Sequence, residues 1–335
     1  MLAAACVLAI VAVGPAQAQD APPAPPKPAV TQSRSRVVLL AQTFDGSVTR
    51  SLNRTAGVAE ARRGAERWIV VDYGSGAVVE RGNGQIAGAD VVSDSGIELG
   101  LVFDPETRAV SGDGFMADIL NRHIRPLLDR IPPGAAQWTL RFGPEEAGIA
   151  GDFSGALVVR FSRLAISHEG RSLMLLRYEI PGFALGGKAG SIAQWGSGGV
   201  LVDAGDGTVL WSGSHHRAVA QQEQGPARPY RAQFSTIAVD AAGAPLVDPA
   251  EIGALASLLE QIDGAEADAP LPFAGDAEGA VPQLPLHLAA IIDLLAVGAA
   301  SEGIDAHGAA FAGFVLGRTG ASRAVTPEAS GEEGE

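Results

Sequence analysis

Four times along this chain an apolar run ends in aspartate, four turn-forming residues follow, and a second apolar run begins. Ile69-Val70-Val71-Asp72 precedes Tyr73-Gly74-Ser75-Gly76, and Leu101-Val102-Phe103-Asp104 precedes Pro105-Glu106-Thr107-Arg108. Val200-Leu201-Val202-Asp203 precedes Ala204-Gly205-Asp206-Gly207, and Ile237-Ala238-Val239-Asp240 precedes Ala241-Ala242-Gly243-Ala244. The physics is that of a β-hairpin. Aspartate accepts from backbone N–H groups two residues on, glycine supplies positive φ, and β-branched flanks favour the pleat. A chain punctuated this way is constrained toward antiparallel sheet.

The second and fourth turns are each followed by helical periodicity. Leu120, Ile124, Leu127, Leu128 and Ile131 line one face of a segment from Phe115 to Ile131, with Asp118/Arg122 and Arg125/Asp129 as i,i+4 pairs on the other. Pro126 falls inside it and predicts a kink or two short pieces. Asp248-Pro249 reads as an N-cap followed by proline at the first helical position, ahead of an Ile252, Leu255, Leu258, Leu259, Ile262 stripe. Two readings stay open. Either a hairpin–hairpin–helix unit is duplicated over 36–134 and 155–264, or such hairpins simply recur, as they do in many β-rich chains.

Elsewhere Val37-Leu40 starts the first strand, Trp138-Phe142 alternates like another, and Leu157-Arg163 and Leu173-Ile180 read as two longer strands joined around His168-Glu169-Gly170. Asp45 to Arg67 is polar and arginine-rich with no convincing apolar period, which predicts a loop or short surface helix. Leu284-Ala300 is apolar enough for a buried helix. Asp293 and Gly298 within it argue against a transmembrane span. Ala309-Leu316 reads as a further short element.

The resulting organisation is a signal peptide at 1–18, a proline-rich linker at 19–35, and β-rich units at 36–150 and 151–264, each ending in a helix. An acidic, proline-rich linker with the apolar helical segment occupies 265–320, and an acidic tail occupies 321–335. The leader rests on the apolar run Leu2-Val13, its Gly14-Pro15 break and the Ala16-Gln17-Ala18 cleavage pattern. At about twelve residues the run is too short to cross a bilayer, which takes roughly 20. A periplasmic or secreted location is the expectation, and the arginine-rich, lysine-poor basic set suggests a bacterial source.

Cys6, the only cysteine, lies in that leader. The remainder therefore has no disulfide, thiol nucleophile or thiolate metal site, and more than 300 residues are enough to bury a core without one. Net charge is −14 and sits almost entirely after residue 239, where 16 acidic side chains face 2 basic ones. Nucleic acid is excluded as an expected partner, because its binding depends on clustered Lys and Arg neutralising phosphates.

No stretch carries a strong catalytic signature. The densest polar cluster is Ser212-Gly213-Ser214-His215-His216-Arg217. Histidine serves as general base and metal ligand, so His215, His216 and Ser214 with Asp203 or Asp206 are the candidate catalytic residues. Strand alternation would send the two histidines to opposite faces, which favours a solvated pair. Ser75 and Ser154 lack the nucleophile-elbow pattern. Gly196-Ser197-Gly198-Gly199 precedes a strand where a phosphate cradle needs a helix. Glu145, Glu146 and Asp152 read as solvated loop carboxylates, and no zinc spacing occurs. Tyr178, Trp195 and Trp211 are the candidate ligand-binding aromatics, with core packing as their alternative.

The expected fold is β-rich α+β: mainly antiparallel hairpins with a few packing helices. The expected function is a non-catalytic envelope protein binding a small ligand or a protein partner, with no cofactor or metal. The alternative is a hydrolase or metalloenzyme centred on His215, His216 and a nearby aspartate.

Overall fold

Strand-forming segments separated by Gly, Asp and Pro draw most of the described residues into one antiparallel sheet. The computed structural model describes residues 34–44, 48–63, 66–82, 85–92, 99–104, 109–112, 114–149, 153–188, 190–205, 208–222, 225–264 and 284–300. Its strands are β1 (Arg34–Phe44), β2 (Val48–Arg63), β3 (Glu66–Gly82), β4 (Gln85–Val92), β5 (Leu99–Phe103), β6 (Val110–Gly112) and β7 (Gln137–Phe142). They continue as β8 (Ser154–Gly155), β9 (Leu157–His168), β10 (Arg171–Gly187), β11 (Gly190–Asp203), β12 (Val209–Gln222) and β13 (Arg228–Val239). The order across the sheet is β6-β5-β3-β2-β1-β13-β12-β11-β10-β9-β7, with β4 on β3 and β8 on β10. The architecture is β-rich α+β, as the hairpin signals imply. The pairing of β1 with β13, from Arg36↔Val239 to Phe44↔Arg231, makes the sheet continuous.

Two of the four aspartate turns are hairpins joining adjacent strands. Phe103 pairs with Val110 across the second, and the Asp104 N–H donates to the Ala109 carbonyl at 3.0 Å. At the third, Asp203 Oδ1 accepts from the Gly205 N–H at 2.8 Å. The fourth turns as expected, with Asp240 Oδ1 accepting from the N–H groups of Ala242 and Ala244, but its return is a single Val239↔Pro245 bridge. The first is no turn at all. β3 runs straight through Tyr73–Gly76, and its register against β2 shifts there. Glycine in a strand marks a bulge as readily as a turn. Here the bulge divides the other edge of β3, Arg67–Val71 pairing with β5 and Gly76–Gly82 with β4.

A second correction concerns 45–67. Val48–Arg63 is a strand of 16 residues, paired with β1 on one side and β3 on the other. Backbone hydrogen bonds on both edges outweigh a side-chain pattern with little strand preference, because strand propensity is mostly a matter of context.

The segment after β6 forms α1 (Gly114–Ile119), a π-helical turn (Leu120–Ile124) and α2 (Arg125–Leu128). Pro126 cannot donate to the helical ladder, and the widened turn immediately before it is the local adjustment. Leu120, Ile124 and Leu127 are buried on the core side, while Arg122 and Asp118 pair at 2.5 Å on the outer face. The expected helix at Asp248 starts later. Asp248 caps a 3-10 turn (Pro249–Glu251), accepting from the Ala250 N–H at 2.9 Å, and α3 follows at Gly253–Gly264. α4 is Leu284–Ala300, the buried apolar helix read from sequence. Ala309–Leu316, the acidic tail and the leader lie outside the described residues.

Helices cover both faces of β10–β12, and alternation along the strands sorts the core. Leu173 and Leu175 on β10, Leu201 on β11 and Trp211 on β12 pack with Ile252, Leu255 and Leu258 at α3. Leu176, Tyr178 and Ile180, with Val200 and Val202, face α4. α4 itself lies between the sheet and the α1–α2 region, so its described side chains from Ile291 to Ala300 are all buried. At roughly 1.5–3 kcal/mol for each fully buried large apolar side chain, this helix is a major part of the core. Gly298 permits the close packing, since a Cβ there would stand 2.6 Å from Leu128 Cδ1.

Candidate functional site

The face of the sheet beneath α4 carries a row of cross-strand partners: Trp138↔Phe161, Phe161↔Tyr178, Tyr178↔Gly198 and Gly198↔Ser214. Trp138 and Phe161 stack at 5.3 Å, and Phe161 meets Tyr178 at 6.1 Å. The Arg163 guanidinium lies 5.2 Å over the Trp138 ring and donates to the Ala299 carbonyl at 2.9 Å, satisfying an orphan acceptor at the end of α4. Tyr178 leans across Gly198. A Cβ at that position would stand 2.5 Å from the phenol ring, so only glycine leaves the ring its place.

The Tyr178 hydroxyl donates to Asp293 Oδ1, in the middle of α4. Ser214 Oγ donates to Asp293 Oδ2 at 3.0 Å, and His216 Nε2 lies 3.4 Å from the same oxygen. His216 Nε2 is also 3.1 Å from the Tyr178 hydroxyl. Because that hydroxyl has one proton and gives it to Asp293, the imidazole nitrogen is the donor toward it. Tyr178, Ser214, His216 and Asp293 are 4%, 1%, 2% and 3% exposed. They form one sealed network, reinforced nearby by Ser212 Oγ and Thr236 Oγ1 at 2.5 Å. Such a network matters energetically because any member left unpaired would carry its full desolvation cost.

The structure separates several residues the sequence grouped. His216 faces α4, whereas His215, the next residue along β12, points to the opposite face. Asp203 is committed to Arg171 at 2.8 Å and to the turn it caps. Some seven residues of β12 separate the pairing of Val202 with Val209 from His216, about 23 Å of strand. Asp206 lies outside the described residues. The aromatic set divides as well. Tyr178 is under α4, Trp211 is packed against α3, and Trp195 is half-buried on a strand position alternating away from His216's partner Gly196.

Asp293 is what the motif search missed, although one signal was present. A carboxylate inside an otherwise apolar helix must find donors when that helix is buried. Nothing in the local pattern says which donors, since they come from 79 and 115 residues away. Glu146 is held by Arg130 and the Gly143 N–H at 2.8 and 2.7 Å, which makes it a loop brace. Elsewhere His168, Glu169 and Glu251 each bring one ligand atom within 4.8 Å of the others. Both glutamates there are exposed, and the His168–Glu251 separation is 4.0 Å.

Among the described residues, no helix is long and apolar enough to cross a membrane. Comparison with protein-family models finds no match, and comparison with curated proteins finds none either. Among solved structures, one of lipovitellin, described by its lipid–protein interactions, is similar at 9% identity and a TM-score of 0.33, covering 64% of this chain. This chain spans about a quarter of that one, 26%. A DUF1329 family protein from Desulfovibrio piger is similar at 10% identity and a TM-score of 0.15, over 68% of this chain and 92% of that one. Scores this low transfer neither fold nor function.

Proposed function

We propose that this chain is a non-catalytic protein of the bacterial envelope, secreted or periplasmic, that binds a small ligand or a protein partner. The observation that carries the reading is the position of Asp293 within its network. A hydrolytic triad places histidine between the nucleophile and the carboxylate, so that the base can take the hydroxyl proton. Here the carboxylate stands in the middle, and Ser214 gives its proton to Asp293. With every member buried, the arrangement joins α4 to the sheet and keeps the Ser214 hydroxyl away from solvent. The apolar leader and a remainder free of cysteine support the location.

The alternative, a hydrolase centred on His216, has one specific observation in its favour: the imidazole lies within reach of a carboxylate. The two are separated by expressing the full chain with its leader, purifying it from the periplasm without chelators, and recording native mass spectra. A stoichiometric bound molecule or partner, together with no hydrolysis of ester, amide or phosphoester panels, is the expected result. Hydrolysis that disappears in a folded His216→Ala variant would overturn the proposal, as would a bare chain that captures neither ligand nor partner.

A further inference from the structure

Where β9 turns into β10, an imidazole and two carboxylates from separate elements converge. His168 and Arg171 pair across a two-residue turn, Glu169–Gly170, in which both residues have positive φ, 49° and 76°. Glu251 is brought to this turn by the 3-10 turn Pro249–Glu251 ahead of α3. One ligand atom from each of His168, Glu169 and Glu251 lies within 4.8 Å of the other two. His168 Nε2 and Glu251 Oε2 are 4.0 Å apart, too far for a hydrogen bond.

The neighbouring cation is already spent. Arg171, across the turn from His168, is held by Asp203 Oδ2 at 2.8 Å and by the Leu246 carbonyl at 3.4 Å. Glu146 and Glu179 each have an arginine, at 2.8 and 3.7 Å. Among the described residues, neither Glu169 nor Glu251 pairs with an arginine or a lysine. Two carboxylates this close repel each other, and a divalent cation between them removes the repulsion.

The geometry admits such an ion. Three atoms within 4.8 Å of one another lie no more than about 2.8 Å from a common centre. Bonds from a first-row divalent ion to imidazole nitrogen and carboxylate oxygen run to about 2.0–2.2 Å, so each atom moves inward by less than ~1 Å. His168 is the fixed member, its side chain 19% exposed, while Glu251 at 63% can adjust about its own torsions. The donor set selects the class of ion. One imidazole with two carboxylates suits Zn²⁺ or Mn²⁺, whereas Ca²⁺ and Mg²⁺ are held by oxygen ligands. Both glutamates are exposed, which leaves the remaining coordination positions to water.

We propose that His168, Glu169 and Glu251 form a binding site for a first-row divalent cation of the Zn²⁺ class. Bound there, the ion fastens the β9–β10 hairpin to the turn that leads into α3. The site shares no residue with the Asp293 network, and it does not depend on the ligand-binding reading above.

The test titrates Zn²⁺ by calorimetry into the full-length mature chain after chelator treatment and buffer exchange. One equivalent is expected to bind with micromolar or tighter affinity, undisplaced by millimolar Ca²⁺ or Mg²⁺. Glu251→Gln and His168→Gln should each weaken binding at least tenfold, while His123→Gln, at a surface histidine elsewhere, leaves it unchanged. Thermal melts should rise with Zn²⁺ in the unaltered chain and stay level in Glu251→Gln. Should His168→Gln not fold, Glu169→Gln takes its place, since that side chain is exposed. X-ray absorption at the zinc edge should show nitrogen and oxygen ligands with a single imidazole. Absence of saturable binding overturns the assignment, as does a spectrum with two or more imidazoles. Affinity that survives in Glu251→Gln and in either partner variant marks an adventitious ion only and overturns it too. Loss of this site leaves the binding-protein reading intact.

Discussion

Tyr178 on β10 and Asp293 on α4, 115 residues apart in sequence, share a hydrogen bond at the centre of a buried polar cluster. The bond crosses the interface between the helix and the sheet, so α4 is placed by polar complementarity as well as by apolar burial. Asp293 accepts from Tyr178 and Ser214 and faces His216, and removing it takes a buried partner from all three. Asp293→Ala is expected to lower unfolding free energy by about 3 kcal/mol, within the range for breaking a buried pair. Urea titration followed by tryptophan fluorescence measures this. A loss below about 1 kcal/mol would mean the network does not hold the helix.

Tyr178→Phe keeps the ring on its stack with Phe161 and removes only the hydroxyl. The expected cost is about 1–2 kcal/mol, smaller than for Asp293→Ala because Ser214 and His216 still face the carboxylate. The comparison of the two variants in one denaturant series gives the ranking, and a reversed order would contradict the geometry.

Gly198→Ala puts a methyl group 2.5 Å from the Tyr178 ring. Backbone and side chain must both shift, at an expected cost of about 1–3 kcal/mol. Combined with Tyr178→Ala, the glycine substitution should become nearly neutral, since the atoms it strikes are gone. A double-mutant cycle reads this coupling directly. Additive losses would show that the clash lies elsewhere.

Gly298→Ala makes the analogous test at the helix–helix contact, where the new Cβ meets Leu128 Cδ1 at 2.6 Å. In a helix interior alanine is favoured over glycine by roughly 1 kcal/mol, so the clash must exceed that gain for the variant to lose stability. Net destabilisation is expected, and Leu128→Ala in the same chain should reverse its sign relative to Leu128→Ala alone. Thermal melts of the four proteins decide it.

Asp203, one of the sequence candidates for chemistry, sits at a hairpin end with Arg171 at 2.8 Å and the Gly205 N–H at 2.8 Å. Asp203→Ala is expected to cost about 1 kcal/mol, as for a partly buried ion pair combined with a turn bond. Ligand binding by the purified chain should be unaffected, which calorimetry checks. A selective loss of binding at full stability would return Asp203 to the site.

Much of the architecture was legible in the order of residues, because its causes are local. Alternation in Trp138–Phe142 marks β7, the Glu169–Gly170 turn separates β9 from β10, and Pro126 coincides with an interrupted helix. Where a glycine-rich stretch had two local solutions, turn or bulge, only pairing partners on both edges of β3 chose between them. The strand at Val48–Arg63 is an extreme case, since its side chains carry little strand preference and its neighbours supply the hydrogen bonds. The opposite orientation of His215 and His216 followed from strand alternation alone. That His216 meets Asp293 did not, because α4 arrives from 77 residues further along the chain. Period, turn chemistry and composition act over a few residues, and they determined that this would be a largely antiparallel protein with a single cysteine and a buried apolar helix late in the sequence. Which polar groups meet under that helix was decided by tertiary packing, where the cost of burying an unpaired carboxylate selects among arrangements that local sequence leaves equivalent.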